Sequence, residues 1–112
     1  MIDELENLRK EYATELPERL NAIRSEIDAI SHALTHRKQV DWYPLKALVH
    51  KLSGSSGTYG FKKVSRAARE MEMLIESQEI QRLSAKDTIT TLTRWYDQLA
   101  LHIVAEPNKK AA

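Results

Sequence analysis

Cysteine is absent from this chain of 112 residues, and glycine and proline occur only three times each. Without cysteine the chain forms no disulfide and offers neither a thiol nucleophile nor a cysteine-based zinc site. The scarcity of glycine and proline, together with 42% hydrophobic residues, indicates a globular chain rather than a disordered one. A single domain of this length can bury a core without the help of metals or disulfides.

Neither sign of charge dominates, and no hydrophobic run is long. The 17 basic and 16 acidic residues leave a formal net charge of +1, which gives no electrostatic reason to expect a nucleic acid or a membrane surface as partner. No apolar run approaches the roughly 20 residues of a membrane span. The N-terminal stretch MIDELENLRKEY is acidic and amphipathic, unlike a signal peptide. We therefore expect a soluble, cytoplasmic protein.

Apolar residues recur at three- and four-residue steps in every long segment, which predicts helices. A first helix, about residues 3–16, is followed by a kink or a new start at Leu16–Pro17 and then by a long helix to about Leu34. The polar segment 35–41 is predicted to be a loop, with Asp41 as a candidate N-cap. The sequence contains no strand pattern, so the fold is predicted to be all-α.

Three further helices are predicted after this loop. One begins at Trp42–Tyr43 and ends near Gly60, where we expect a left-handed cap. The next begins near Phe61, and the short connection between the two forces an antiparallel hairpin. The segment 77–83 is polar and breaks the helical period, and the last helix is predicted over about residues 85–104.

The end of the chain completes the predicted architecture. Ser84 and Asp87 form a capping pair at the start of the last helix, and Pro107 stops that helix. Residues 1–106 are thus predicted to form an antiparallel four-helix bundle with a short or kinked N-terminal helix. Residues 107–112 are predicted to be a flexible tail.

The segment 45–60 combines an amphipathic helix with an outward-facing histidine. At about 100° per residue, six side chains fall within roughly 60° of one direction: Leu45, Leu48, Val49, Leu52, Ser56 and Tyr59. His50 lies about 140° from that direction, so its imidazole is predicted to be exposed. Its neighbours on the next turns, Ser53, Gly54 and Gly57, are small, which suggests the close approach of a large partner.

The sequence HKLSGSSGTYGF resembles the motif of the histidine-containing phosphotransfer (HPt) domain, which reads roughly H-x-L-K-G-S-x-x-x-x-G. The match covers five positions: His50, Leu52, Gly54, Ser55 and Gly60. The chain departs from the family at Ser53, where the family often has lysine. The resemblance implies a four-helix bundle that carries a phosphoryl group on His50.

Several residues around His50 are candidates for contacts with a phosphoryl group or a partner. A histidine with a pKa near 6.5 is partly neutral at pH 7, so a ring nitrogen can attack phosphorus. Lys46 lies one turn earlier on nearly the same side, where its ammonium could contact a phosphoryl oxygen. Lys51 diverges by about 100° and is better interpreted as a solvated lysine. Ser53 could donate a hydrogen bond but brings no charge, and Gly54 and Gly57 would leave room for the partner.

Other chemistry finds little support in the sequence. His32 and His36 have the spacing of zinc ligands on a helix, but no third ligand accompanies them at a fixed spacing, and His102 is remote. The carboxylates have opposite-charge neighbours and are interpreted as solvated helix faces. No metal site is therefore expected. A hydrolase is disfavoured because the chain offers no nucleophile–base pair.

The resemblance implies a phosphorelay carrier. His50 would accept the phosphoryl group from the aspartate of a response-regulator receiver domain, or of a hybrid sensor kinase, and pass it to another receiver. Mg²⁺ and the acid–base groups would belong to the partner, so this domain would need no cofactor and have no catalytic centre of its own. We expect a monomer. The alternative is a helical adaptor that binds a receiver domain or another signalling protein without phosphotransfer, and Ser53 in place of lysine supports it.

Overall fold

The computed structural model of the protein describes residues 4–77 and 79–108. Within these residues there is no strand, and the chain forms five helices: α1 (Glu4–Thr35), α2 (Tyr43–Thr58), α3 (Lys62–Glu76), α4 (Glu79–Arg82) and α5 (Ala85–Ala105). The predicted start of the first helix at residue 3 and positions 109–112 of the predicted tail lie outside the described residues. None of the described helices combines the length and apolar composition that crossing a bilayer requires.

Helix α1 continues through Pro17 instead of ending there. Proline removes one helical hydrogen bond and crowds the preceding turn, at a cost of about 3 kcal/mol. Leu16 and Ile23, on the two sides of Pro17, are both buried, so the core holds both halves of the helix in place. The prediction of a new start at Leu16–Pro17 is therefore wrong, whereas a kink is compatible with an unbroken helix.

The turn between α2 and α3 is closed by Gly60 in the left-handed conformation, with φ of 82°. The amide of Gly60 donates to the carbonyl of Gly57, and the amide of Phe61 donates to the carbonyl of Ser56. These two bonds form a Schellman motif, which satisfies carbonyl groups at the end of α2. The predicted left-handed cap and the antiparallel hairpin that follows from it are confirmed.

The predicted linker 77–83 contains a short helix that the polar composition concealed. Helix α4 spans Glu79–Arg82, and its Ile80 is almost completely buried. Thr88 of α5 donates a hydrogen bond to the carbonyl of Ile80 at 3.3 Å. One apolar side chain therefore holds this segment against the core. The predicted cap of α5 is confirmed, since Ser84 accepts a hydrogen bond from the amide of Asp87.

The four long helices form an antiparallel bundle, as predicted. Helix α1 packs on α2 and α5, and α3 packs on the same two helices from the other side. The core contains the apolar stripes expected from the helical period, among them Leu45, Val49 and Leu52 of α2. Because α1 and α3 cover its two flanks, helix α2 keeps one open face along its length.

Candidate functional site

His50 lies on the open face of helix α2, and its side chain is 75% exposed. Leu45, Val49 and Leu52 occupy the opposite face and are buried. The exposure predicted from the helical period is therefore confirmed. A large molecule can reach the imidazole without any rearrangement of the bundle.

A carboxylate from helix α3 holds the imidazole. The Nδ1 atom of His50 lies 2.5 Å from Oε2 of Glu72, whose side chain is only 11% exposed. Among the described residues, Glu72 is the one charged residue that is buried. Burying a carboxylate is costly unless a partner compensates for the lost water. The hydrogen bond therefore stabilises the buried carboxylate and also orients the imidazole ring.

This pairing distinguishes the two ring nitrogens of His50. An ionised carboxylate only accepts hydrogen bonds, so Nδ1 carries the hydrogen and donates it to Glu72. In the neutral ring Nε2 then carries the free lone pair. The arrangement presents an oriented nucleophilic nitrogen on an exposed surface.

Lys46 lies on the same flank of α2 as His50 and is engaged with helix α3. Its Nζ atom is 3.2 Å from Oε1 of Glu76, and both side chains are about half exposed. The contact between Lys46 and a phosphoryl oxygen stays a prediction. To make that contact, the ammonium would have to share Glu76 or leave it.

Lys51 lies on the other flank of α2. It lines a groove beside helix α1 together with Glu15, Glu18 and Arg19. This groove is separated from Glu72 by the width of α2. The structure therefore does not bring Lys51 together with the pair formed by His50 and Glu72.

The three small residues near His50 have different surroundings. Ser53 is half-buried beside α3, and its carbonyl oxygen accepts a hydrogen bond from Ser65 Oγ at 2.7 Å. A Cβ atom added to Gly54 would meet nothing within 4 Å, so this residue faces open space. A Cβ atom added to Gly57 would lie 3.1 Å from Ser65 Oγ. A side chain at Gly57 would therefore point at α3 of the same chain, and the role of Gly57 in contacts with a partner stays a prediction.

Sequence reasoning missed Glu72, since it treated the carboxylates as solvated helix faces. A signal was present: Glu72 follows Val64 and Ala68 at steps of four residues, so it falls at the edge of an apolar stripe. The helical period of apolar residues alone does not identify the residue with which Glu72 pairs. His50 is 22 residues away, and only the register of the hairpin brings the two together.

The remaining histidines lie away from this site. His32 and His36 stack with ring centroids 4.0 Å apart, and Nδ1 of His36 lies 2.8 Å from the carbonyl oxygen of His32. His102 is on α5 and lines a cleft between α3 and α5. Over residues 4–77 and 79–108, no group of three or more His, Asp or Glu side chains is placed to hold a metal ion.

Ser55 of the motif anchors helix α1. The Tyr12 hydroxyl lies 2.6 Å from Ser55 Oγ, which itself donates to the carbonyl of Lys51, so Tyr12 is the donor of this pair. The Tyr12 ring also stacks on Tyr59 at 4.6 Å. Burial raises the pKa of the Tyr12 phenol. This contact fixes α1 against the helix that carries His50.

Residues 7–102 of the chain match the model of the Hpt domain family. No match to the chain was found among curated proteins or among solved structures. The matched range starts in α1 and ends in α5, so it spans the whole bundle and includes His50 and Glu72. The protein therefore belongs to the Hpt domain family, the histidine carriers of phosphorelays.

Proposed function

We propose that His50 accepts a phosphoryl group from the aspartyl phosphate of a receiver domain and passes it to the aspartate of another receiver. The observation that carries this proposal is the exposed imidazole of His50, held through Nδ1 by the buried carboxylate of Glu72. Membership of the Hpt domain family supports the same role. The domain would act as an intermediate carrier rather than as an enzyme with its own catalytic centre.

The chemistry follows from the two ring nitrogens. The lone pair of Nε2 of His50 forms a bond to phosphorus, while the P–O bond to the aspartate breaks and its electron pair returns to the carboxylate. No proton has to leave the attacking nitrogen. The ring becomes positively charged with its hydrogen still on Nδ1, and the Glu72 carboxylate stabilises that charge. The reverse transfer restores the neutral ring.

The surface around His50 suits a docked receiver domain. Gly54 leaves open space one turn after the histidine, and Tyr43 lies two turns before it with 73% of its surface exposed. Met73, next to Glu72 on α3, is 58% exposed. Such apolar side chains form the buried centre of many protein interfaces. We expect Mg²⁺ and the acid–base groups on the receiver and a monomeric cytoplasmic carrier.

Incubation with a phosphorylated receiver domain tests the proposal. Wild-type protein should acquire phosphate that is labile in acid and stable in base, as expected for a phosphohistidine. His50→Gln should acquire none, whereas the control His36→Gln, which replaces another exposed histidine, should behave like wild type. Labelling of His50→Gln at the wild-type rate would contradict the assignment.

Two observations favour the alternative, an adaptor function. Ser53 offers no charge where the family often has lysine, and Lys46 is engaged with Glu76. An adaptor would bind the receiver with similar affinity in wild-type and His50→Gln protein and would take up no phosphate. Measuring binding and labelling on the same samples separates the two functions.

A further inference from the structure

The register of the hairpin formed by α2 and α3 determines which residues face each other across it. Three facing pairs define that register: Lys46–Glu76, His50–Glu72 and Gly57–Ser65. From one pair to the next, the residue number increases on α2 by the same amount as it decreases on α3. The position three residues after His50 therefore faces the position three residues before Glu72. The first is Ser53, and the second is Arg69.

Arg69 is an exposed cation, and the register of the hairpin places it diagonally across from His50. It is one turn from Glu72 on the same helix, and residues at this spacing are neighbours on a helix surface. In the part of the chain that the structure describes, its guanidinium takes part in no hydrogen bond or ion pair. Lys46 is engaged with Glu76, and Lys51 lies on the far flank of α2. Arg69 is thus an unpaired cation on the α3 side of His50.

A phosphoryl group on His50 needs such a cation. It would carry nearly two negative charges close to Glu72 and Glu76, whose carboxylates repel it. Ser53 contributes no positive charge to offset this repulsion. A guanidinium presents several N–H donors in a planar fork that matches two phosphate oxygens.

We propose that Arg69 binds the phosphoryl oxygens on His50 and so supplies from α3 the charge that Ser53 lacks on α2. This inference rests on the proposed phosphorylation of His50. It concerns the phosphorylated state, in which the guanidinium stabilises the dianion and shifts phosphoryl groups from the receiver towards this domain.

The test compares Arg69→Ala, Arg69→Gln and Arg69→Lys with wild type. The matched control is Arg66→Ala, which removes another exposed arginine from α3, about one turn further from His50. Each protein is phosphorylated with phosphoramidate, and the ³¹P resonance of the phosphohistidine is followed as a function of pH. The distribution of phosphoryl groups between the protein and a receiver domain is then measured at equilibrium. Thermal unfolding checks that each variant is folded.

Arg69→Ala and Arg69→Gln should raise the pKa of the phosphoryl group and reduce the equilibrium fraction on this domain about three- to tenfold. Arg69→Lys should restore part of both effects, and Arg66→Ala should resemble wild type. An unchanged phosphoryl pKa and distribution in Arg69→Gln would overturn the role of Arg69 while leaving phosphorylation of His50 intact. Wild-type protein that takes no phosphoryl group from either donor would overturn the proposed function, and with it this inference.

Discussion

Nδ1 of His50 and Oε2 of Glu72 lie 2.5 Å apart across the hairpin of α2 and α3, and they join a 75% exposed side chain to one that is 11% exposed. The exposed imidazole provides the nucleophilic nitrogen, and the buried carboxylate determines the orientation of the ring. A rigid ring position matters because phosphoryl transfer depends on the alignment of the attacking atom. The pair contributes both to the stability of the site and to its function, and suitable substitutions can separate the two contributions.

Replacing His50 should affect stability only when Glu72 loses its hydrogen-bond donor. His50→Gln keeps an N–H group within reach, so its free energy of unfolding should stay within about 0.5 kcal/mol of wild type. His50→Ala leaves a buried carboxylate without a partner, which should cost about 1–3 kcal/mol. Urea unfolding at pH 7 measures both. Equal stability of the two variants would show that the hydrogen bond contributes nothing in solution.

Substitutions of Glu72 should separate function from folding. Glu72→Gln keeps the size of the side chain but loses the charge that stabilises the phosphorylated ring, so transfer from a receiver should slow by about tenfold. Glu72→Leu should slow transfer further while keeping or increasing stability, since it removes a buried charge. Transfer rates and urea unfolding are measured on the same preparations. Glu70→Gln, which replaces an exposed carboxylate on the side of α3 that faces α5, serves as the control. A wild-type rate in Glu72→Leu would contradict the orienting role.

Gly54 and Gly57 should respond differently to alanine. At Gly54 the new methyl group meets open space, so Gly54→Ala should stabilise the protein by about 0.5–1 kcal/mol. At Gly57 the same change brings a Cβ atom to 3.1 Å from Ser65 Oγ, so the gain should be smaller or reversed. Melting temperatures measure the difference. A more favourable effect at Gly57 would contradict the close contact between α2 and α3.

A larger residue at position 54 should slow phosphotransfer without harming the fold. The side chain of Gly54→Gln would stand beside the imidazole, about 40° away from His50 and one turn further along α2. It should keep a receiver domain from the close geometry that transfer requires. The transfer rate is compared with that of Gly54→Ala. Normal transfer by Gly54→Gln would mean that the partner approaches from another side.

The Tyr12 phenol should make the protein sensitive to alkaline pH. Burial raises its pKa above the ordinary value of 10.0, so in alkaline solution the unfolded state loses its proton before the folded state does. The resulting stabilisation is present below about pH 10 and is lost as the pH rises through the folded-state pKa. Tyr12→Phe should therefore lose less stability than wild type between pH 9 and pH 11. The free energy of unfolding is measured with urea. An equal loss of that free energy in the two proteins across this pH range would contradict the expectation.

Local features of the bundle could be derived from the sequence. The period of apolar residues predicts the exposure of His50, because neighbours within one or two turns determine which way a helical side chain points. The Gly60 cap and the Ser84 cap are equally local, since each satisfies backbone groups only a few residues away. The short motif around His50 resembles that of the Hpt domain family, and the match over residues 7–102 shows the membership.

Other features of the fold depend on which side chains are buried in the core, and the local sequence pattern does not specify this. Pro17 stays inside α1 because the core holds the helix on both sides of it. Ile80 turns a polar linker into a helix because a single side chain reaches the core. In both cases tertiary packing outweighs the preference of the isolated segment.

The sequence by itself determined that His50 is an exposed residue on a helix of a four-helix bundle, because helical period and capping act over a few residues. Only the tertiary structure decided what surrounds it. Glu72 and Arg69 lie on another helix, and their distance from His50 depends on the register of the hairpin, which Gly60 and the packing of Gly57 against Ser65 establish. A shift along either helix would leave every local pattern intact and take the carboxylate away from the imidazole.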